Sequence, residues 1–142
     1  MKLLSTILIL LLHVTLTAQT EQAAGDYQLS TGTATKDNFN YQLTLNADGT
    51  FIFQYFSNTK FDIPNEKSYY GRGSWTLKNN IVSFTTDKKK DIDEKYTLDF
   101  SNSKARLIAK SPKDTSDRII EPKLQFLKSE VSWMSRILLL KV

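Results

Sequence analysis

Residues 45–56 read LNADGTFIFQYF and contain an Asp48-Gly49 pair, which can open a calcium loop or mark a tight reversal of the chain. A calcium loop of the EF-hand type needs alternating oxygen ligands and a bidentate Glu at its twelfth position. Here Asp48 stands alone, and apolar Phe51 and Ile52 follow within four residues. The pair therefore reads as a turn between two strands, and no metal site is expected.

The other groups able to do chemistry are few. The chain has no cysteine, and its one histidine, His13, lies in an apolar leader. Without the leader, a Ser-His-Asp triad, a Cys-His dyad and a His-ligated zinc site are all excluded within one chain. General acid–base work would fall to carboxylates such as Asp26, Asp99 and Asp117. No two carboxylates share inward parity at one place, and Asp99 points outward beside Leu98. We expect no catalytic residue, no cofactor and no enzyme activity.

The leader is MKLLSTILILLLHVTLTA. It carries Lys2, an apolar run from Leu3 to Leu12 broken by Ser5 and Thr6, and a small-residue setting at Ala18. That is the pattern of a secretory signal peptide over residues 1–18, and the run is too short to span a bilayer stably. No Cys follows for lipid attachment. The expected product is a single domain over residues 19–142, periplasmic or extracellular, with 18 Lys and Arg against 15 Asp and Glu. Acidic residues are scattered among the basic ones, so nucleic acid is not an expected partner.

The elements that would position any site alternate with a period of two. Phe39, Tyr41, Leu43 and Leu45 alternate with polar residues, turn through Asn46-Ala47-Asp48-Gly49, and resume as Phe51, Phe53 and Tyr55. Pairing Asn46 with Thr50 sets Leu45 opposite Phe51, Leu43 opposite Phe53 and Tyr41 opposite Tyr55. SWTLKNNIVSFT turns at Asn79-Asn80, with Trp75 facing Phe84 and Leu77 facing Val82. KYTLDFSNSKARLIA predicts a third hairpin at Asn102-Ser103, with Phe100 facing Ala105 and Leu98 facing Leu107. GDYQLSTG predicts an opening strand, and RIIEPKLQFLK one or two strands interrupted near Pro122. The tail SEVSWMSRILLLKV admits a short helix bearing Trp133, Met134 and Ile137. The favoured alternative is a closing strand over 137–140, buried on both sides and paired with the first strand. The expected fold is all-β: an antiparallel up-and-down meander closing into a small barrel of about 8–10 strands.

An up-and-down order predicts two unlike ends. The turns 46–49, 79–80 and 102–103 fall at one end, and the connections 57–67, 87–93 and 110–117 at the other. Inward parity brings Tyr41, Tyr55, Tyr69 and Tyr96 toward the looped end, where Gly71 and Gly73 leave volume free beside them. Tyr41, Tyr55, Tyr69, Gly71, Trp75 and Tyr96 are therefore candidate ligand-binding residues. Tyrosines at a barrel rim also serve as plain core residues, and glycines as bends. Phe61 and Ile63 either fold over the opening as a lid or anchor their loop to the rim.

The phrases GDY, YQLTLNADGTFIF and GRGSWTLKNNIVSF resemble the small lipocalin-like, calycin-type barrel proteins secreted by bacteria. The likeness spans about residues 25–110. Gly25-Asp26-Tyr27 matches the Gly-x-Trp of the first strand loosely, and the Gly-x-Trp of this chain, Gly73-Ser74-Trp75, lies mid-chain. Arg136 stands where a late Arg could pack. The resemblance implies a small, mainly apolar ligand, or an envelope role. Two functions are thus expected candidates: a secreted binder of a small apolar ligand at the tyrosine-lined end, or a protein-interaction or inhibitor module using its long loops. Outward-facing Ile52, Phe56 and Ile108 would form a patch for the second.

Overall fold

The computed structural model describes residues 20–33 and 35–142. The expected leader over residues 1–18 and its expected cleavage point lie outside the described residues. The described residues are all-β, with nine strands: β1 (Gly25–Thr31), β2 (Asn38–Leu45), β3 (Thr50–Asn58), β4 (Glu66–Lys78), β5 (Ile81–Thr85), β6 (Tyr96–Leu98), β7 (Ser103–Ile108), β8 (Lys123–Lys128) and β9 (Leu138–Lys141). A 3-10 turn over Ser132–Met134 precedes β9.

Eight strands close a ring in the order β1-β2-β3-β4-β5-β7-β8-β9, each antiparallel to its neighbours, with β9 returning to β1. Closure removes open sheet edges from the ring. β6 is a short extra strand lying parallel to β4.

Two hairpins form as their residues dictate. In the first, Gly49 takes a φ of 87°, and the Asn46 backbone N–H donates to Thr50 O at 2.9 Å. The register sets Tyr41 opposite Tyr55, Leu43 opposite Phe53 and Leu45 opposite Phe51. In the second, Asn79 and Asn80 sit at φ 52° and 59°, conformations Asn tolerates better than most residues. Trp75 then pairs with Phe84, and Leu77 with Val82.

The third expected hairpin does not form. Asn102 does turn the chain at φ 59°, but β7 pairs with β5, setting Ser103 opposite Phe84 and Ala105 opposite Val82. The competing force is burial of Phe100, which is fully enclosed and packs on Phe51, Phe53, Phe84 and Phe126. A ring placed among four others outweighs a local ladder, because large rings dominate core energetics. Residues 86–102 therefore leave the ring and return. Buried Thr86 fastens them: its hydroxyl donates to Arg72 O and accepts from Phe100 N, and its carbonyl accepts from the Ser101 hydroxyl.

This changes the two ends. The turn at 102 belongs to the excursion, so the 109–122 connection lies with the turns 46–49 and 79–80 and not opposite them. The other end, the loop end, carries connections 32–37, 59–65, 86–102 and 129–137. The tail resolves both alternatives in sequence. A 3-10 turn holds Trp133 and Met134, and β9 follows, paired with β8 and β1. β9 is not buried on both sides: Leu139 is enclosed, while Leu138 and Leu140 are exposed. At the turn end, Tyr27 donates its hydroxyl proton to Ala23 O at 2.6 Å, and Lys141 Nζ donates to Gln22 O. Residues 20–24 thereby close that end.

Candidate functional site

Tyr41, Tyr55 and Tyr69 stand directly opposite one another on β2, β3 and β4, forming one ladder across three strands. Their rings touch in series, Tyr41 to Tyr55 at 5.0 Å and Tyr55 to Tyr69 at 6.1 Å, the latter pair stacked. The structure thus unites three of the four expected tyrosines at the loop end. Tyr69 is 39% exposed, while Tyr41 and Tyr55 are half-buried. Burial, and then the neighbouring Tyr55, raise the Tyr41 phenol above its ordinary value.

Trp133 completes the cluster. Its ring lies 4.5 Å from Tyr55 and 6.0 Å from both Tyr41 and Phe53, brought there by the connection between β8 and β9. It covers the inner part of the tyrosine ladder and joins it to the core. Sequence reasoning placed Trp133 only on a possible helix. The signal that could have found it is an aromatic in a connection at the same end as three converging rings.

The remaining candidates lie elsewhere. Trp75 does face inward, but at the turn end. Its indole N–H donates to Asn46 O at 3.0 Å and its backbone N–H to Gly49 O at 2.8 Å. Tyr96 packs beside Tyr70 at 6.0 Å, with the Arg72 guanidinium 4.3 Å above its ring. Tyr70 and Arg72 project from the outer side of β4, so Tyr96 is remote from the ladder. Gly71 and Gly73 leave no free volume. A Cβ on Gly71 would meet the Phe100 ring at 2.6 Å, and one on Gly73 would meet Thr85 O at 2.1 Å. Both glycines exist for close approach of neighbours.

The lid residues neither cover the mouth nor anchor the loop. Phe61 and Ile63 are 93% and 95% exposed. The polar groups around them are tied back. Thr59 N donates to Asn65 O at 3.0 Å, Lys60 N donates to an Asp37 carboxylate oxygen at 3.2 Å, and Lys67 pairs with Asp62 at 3.1 Å. Phe61 borders an open cleft of about 530 Å³ shared with Gly32, Thr35, Lys36, Asp37 and Lys60.

Several carboxylates are occupied structurally. Asp48 accepts hydrogen bonds from the Thr50 hydroxyl and backbone N–H, which hold its carboxyl below the usual range. Asp93 accepts from the backbone N–H groups of Tyr96 and Lys95 and pairs with Arg72, and is lowered for those reasons in that order. No group of three potential metal ligands occurs among the described residues. Nor does any helix among them have the length and apolarity to cross a membrane. Ile52 and Phe56 lie on β3 and Ile108 on β7, three strands away around the ring, so they do not form one patch.

No family model, curated protein or solved structure matches the chain.

Proposed function

We propose that this protein is a secreted, non-enzymatic binding module that engages a protein partner through loop 59–65. One observation carries the reading: a loop fastened at three points holds the large apolar side chains of Phe61 and Ile63 almost wholly exposed. Such a loop is pre-organised, and pre-organisation lowers the entropic cost of docking. Burying each side chain against a partner would contribute about 1.5–3 kcal/mol. The cleft beside Phe61 offers a neighbouring recess for a partner's side chain. Secretion rests on the leader sequence. The strand order and the phrases around Asp48-Gly49 and Trp75 also support kinship with the lipocalin-like barrels.

The test is a photo-crosslinking residue at position 61, with position 76 on the outer side of β4 as the control, in the cells that make the protein. A discrete adduct at 61 that Ile63→Ser abolishes supports the reading. Equal labelling at both positions, or none at 61, removes it.

A second reading keeps the tyrosine-lined end as the seat of a small, mainly apolar ligand. The ladder of Tyr41, Tyr55 and Tyr69 favours it, with Trp133 as the stopper that a ligand would displace. Native mass spectrometry of the purified protein separates the two. A retained molecule that is lost in the Tyr55→Ala/Tyr69→Ala variant belongs to this reading alone.

A further inference from the structure

The barrel's charge is unevenly divided. From Thr20 to Asn102 nine Lys and Arg stand against eleven Asp and Glu; from Ser103 to Val142 nine stand against four. The excess gathers on strands β7, β8 and β9, whose sequences SKARLI, KLQFLK and LLLK contain no carboxylate. Ala105, Leu107, Leu124, Phe126 and Leu139 point into the core, so Lys104, Arg106 and Lys123 lie on the outside, and Lys128, exposed at the strand end, joins them through the register shift that sets it opposite Lys104. Among the described residues none of these four side chains makes a hydrogen bond or ion pair. Lys141, by contrast, is tied to Gln22 O. Between the cations lie Leu127, Leu138 and Leu140, 43%, 36% and 46% exposed. Glu121 and Glu130, both exposed, flank the face from the adjoining connections. Lys104 is directly opposite Lys128, an arrangement that costs stability in an isolated sheet.

We propose that the outer face of β7–β9 rests on an anionic lipid surface, with its cations at the headgroups and its leucines in the boundary beneath them. Charge complementarity selects the partner. Each Lys or Arg near an anionic leaflet adds attraction, and exposed leucines add burial that only a lipid phase supplies. A soluble polyanion would satisfy the cations but leave the leucines in water. A second copy paired through a twofold axis would set cations against cations. The ring order also places this face across the barrel from β3 and β4, so loop 59–65 would point away from the bilayer.

Vesicle flotation tests this with the purified protein. It should float with vesicles of phosphatidylglycerol and phosphatidylcholine at low salt and not with phosphatidylcholine alone. K104Q/R106Q/K123Q/K128Q should lower partitioning by roughly two to three orders of magnitude, at about fivefold per cation. L138Q/L140Q should make the remaining binding more easily reversed by salt. Urea midpoints that do not fall in either variant tie these losses to the surface rather than to the fold. A variant whose midpoint falls is replaced by K104Q/R106Q or by L140Q alone, for which the same losses, smaller in degree, are expected. Three results would overturn the proposal: no flotation of the parent protein on anionic vesicles, full flotation of the folded glutamine variants, or binding to heparin as tight as to vesicles and indifferent to Leu138 and Leu140.

Discussion

The flank built by β2, β3 and β4 and the flank built by β7, β8 and β9 enclose one core by different means. The first uses strands of 8, 9 and 13 residues, paired without a break in register from Asn38 to Ser74, and a ladder of tyrosine rings. Its outer side mixes neutral polar residues such as Gln42, Thr44, Gln54, Ser68 and Thr76 with apolar Ile52 and Phe56 and with Arg72, which is paired to Asp93. The second uses strands of 6, 6 and 4 residues with a bulge near Lys104. It relies on Leu107, Leu124, Phe126 and Leu139, each nearly or wholly enclosed. Where burial on the inside supplies the stability, the outside can carry charges that contribute none. A surface shaped for stability alone would not set one lysine against another.

The largest test of this picture is Phe100→Ala. The ring lies 5.0 Å and 5.4 Å from Phe53 and Phe51 on the long flank, and 6.5 Å from Phe126 on the short one. Its loss should cost about 3–5 kcal/mol in urea unfolding, in line with other large ring deletions from cores. A loss under about 1 kcal/mol, the cost of a minor trimming, would mean that each flank packs without the ring.

That ring also marks the boundary of what the sequence discloses. The long flank was legible because its strands are consecutive in the chain: Asn46 to Gly49 set the β2–β3 register locally, Asn79-Asn80 did the same for β4 with β5, and alternation does the rest. The short flank was not, because β7 finds β5 across seventeen intervening residues, 86–102. The turn at Asn102 is real, but its local signal says nothing about which strand lies alongside. The site divided in the same way. Tyr41, Tyr55 and Tyr69 met because two consecutive pairings set them opposite one another. Tyr96 went elsewhere with the displaced β6, and Trp133 arrived from a connection with no periodicity to read. The basic face was present in the sequence as acid-free strands, hidden by Asp114, Asp117 and Glu121 in the intervening connection.

A second test lies at the seam between the flanks. β1 holds seven pairs to β2 and only two to β9, and Tyr27 sits at that seam, 1% exposed. Burial pushes its phenol up to about 12 from 10.0. The folded state therefore keeps this proton at a pH where the unfolded chain has lost it. Stability from the neutral phenol is fully present below about pH 10 and falls as pH rises toward about 12, by roughly 2–3 kcal/mol. Tyr41, raised in the same direction, adds to the slope. Urea midpoints measured across that range should fall steeply for the parent protein and less for Tyr27→Phe. Parallel slopes would show that the seam opens easily enough to hydrate the ring.

The smallest effect bears most directly on the contrast. Lys104→Glu turns a repulsive cross-strand pair with Lys128 into an attractive one and should stabilise the short flank by about 0.2–1 kcal/mol. Thr76→Glu on β4, opposite Ser83, has no cation across from it and should give no such gain. The same Lys104→Glu change should weaken attachment to anionic vesicles. A variant more stable yet less able to bind would mean that the lysine pair is kept at a cost to the fold, which is what a binding face predicts and a merely solvated one does not. If stability and attachment are both unmoved, Lys104 and Lys128 are far enough into water for neither to matter, and the short flank's outer face is then only a charged surface.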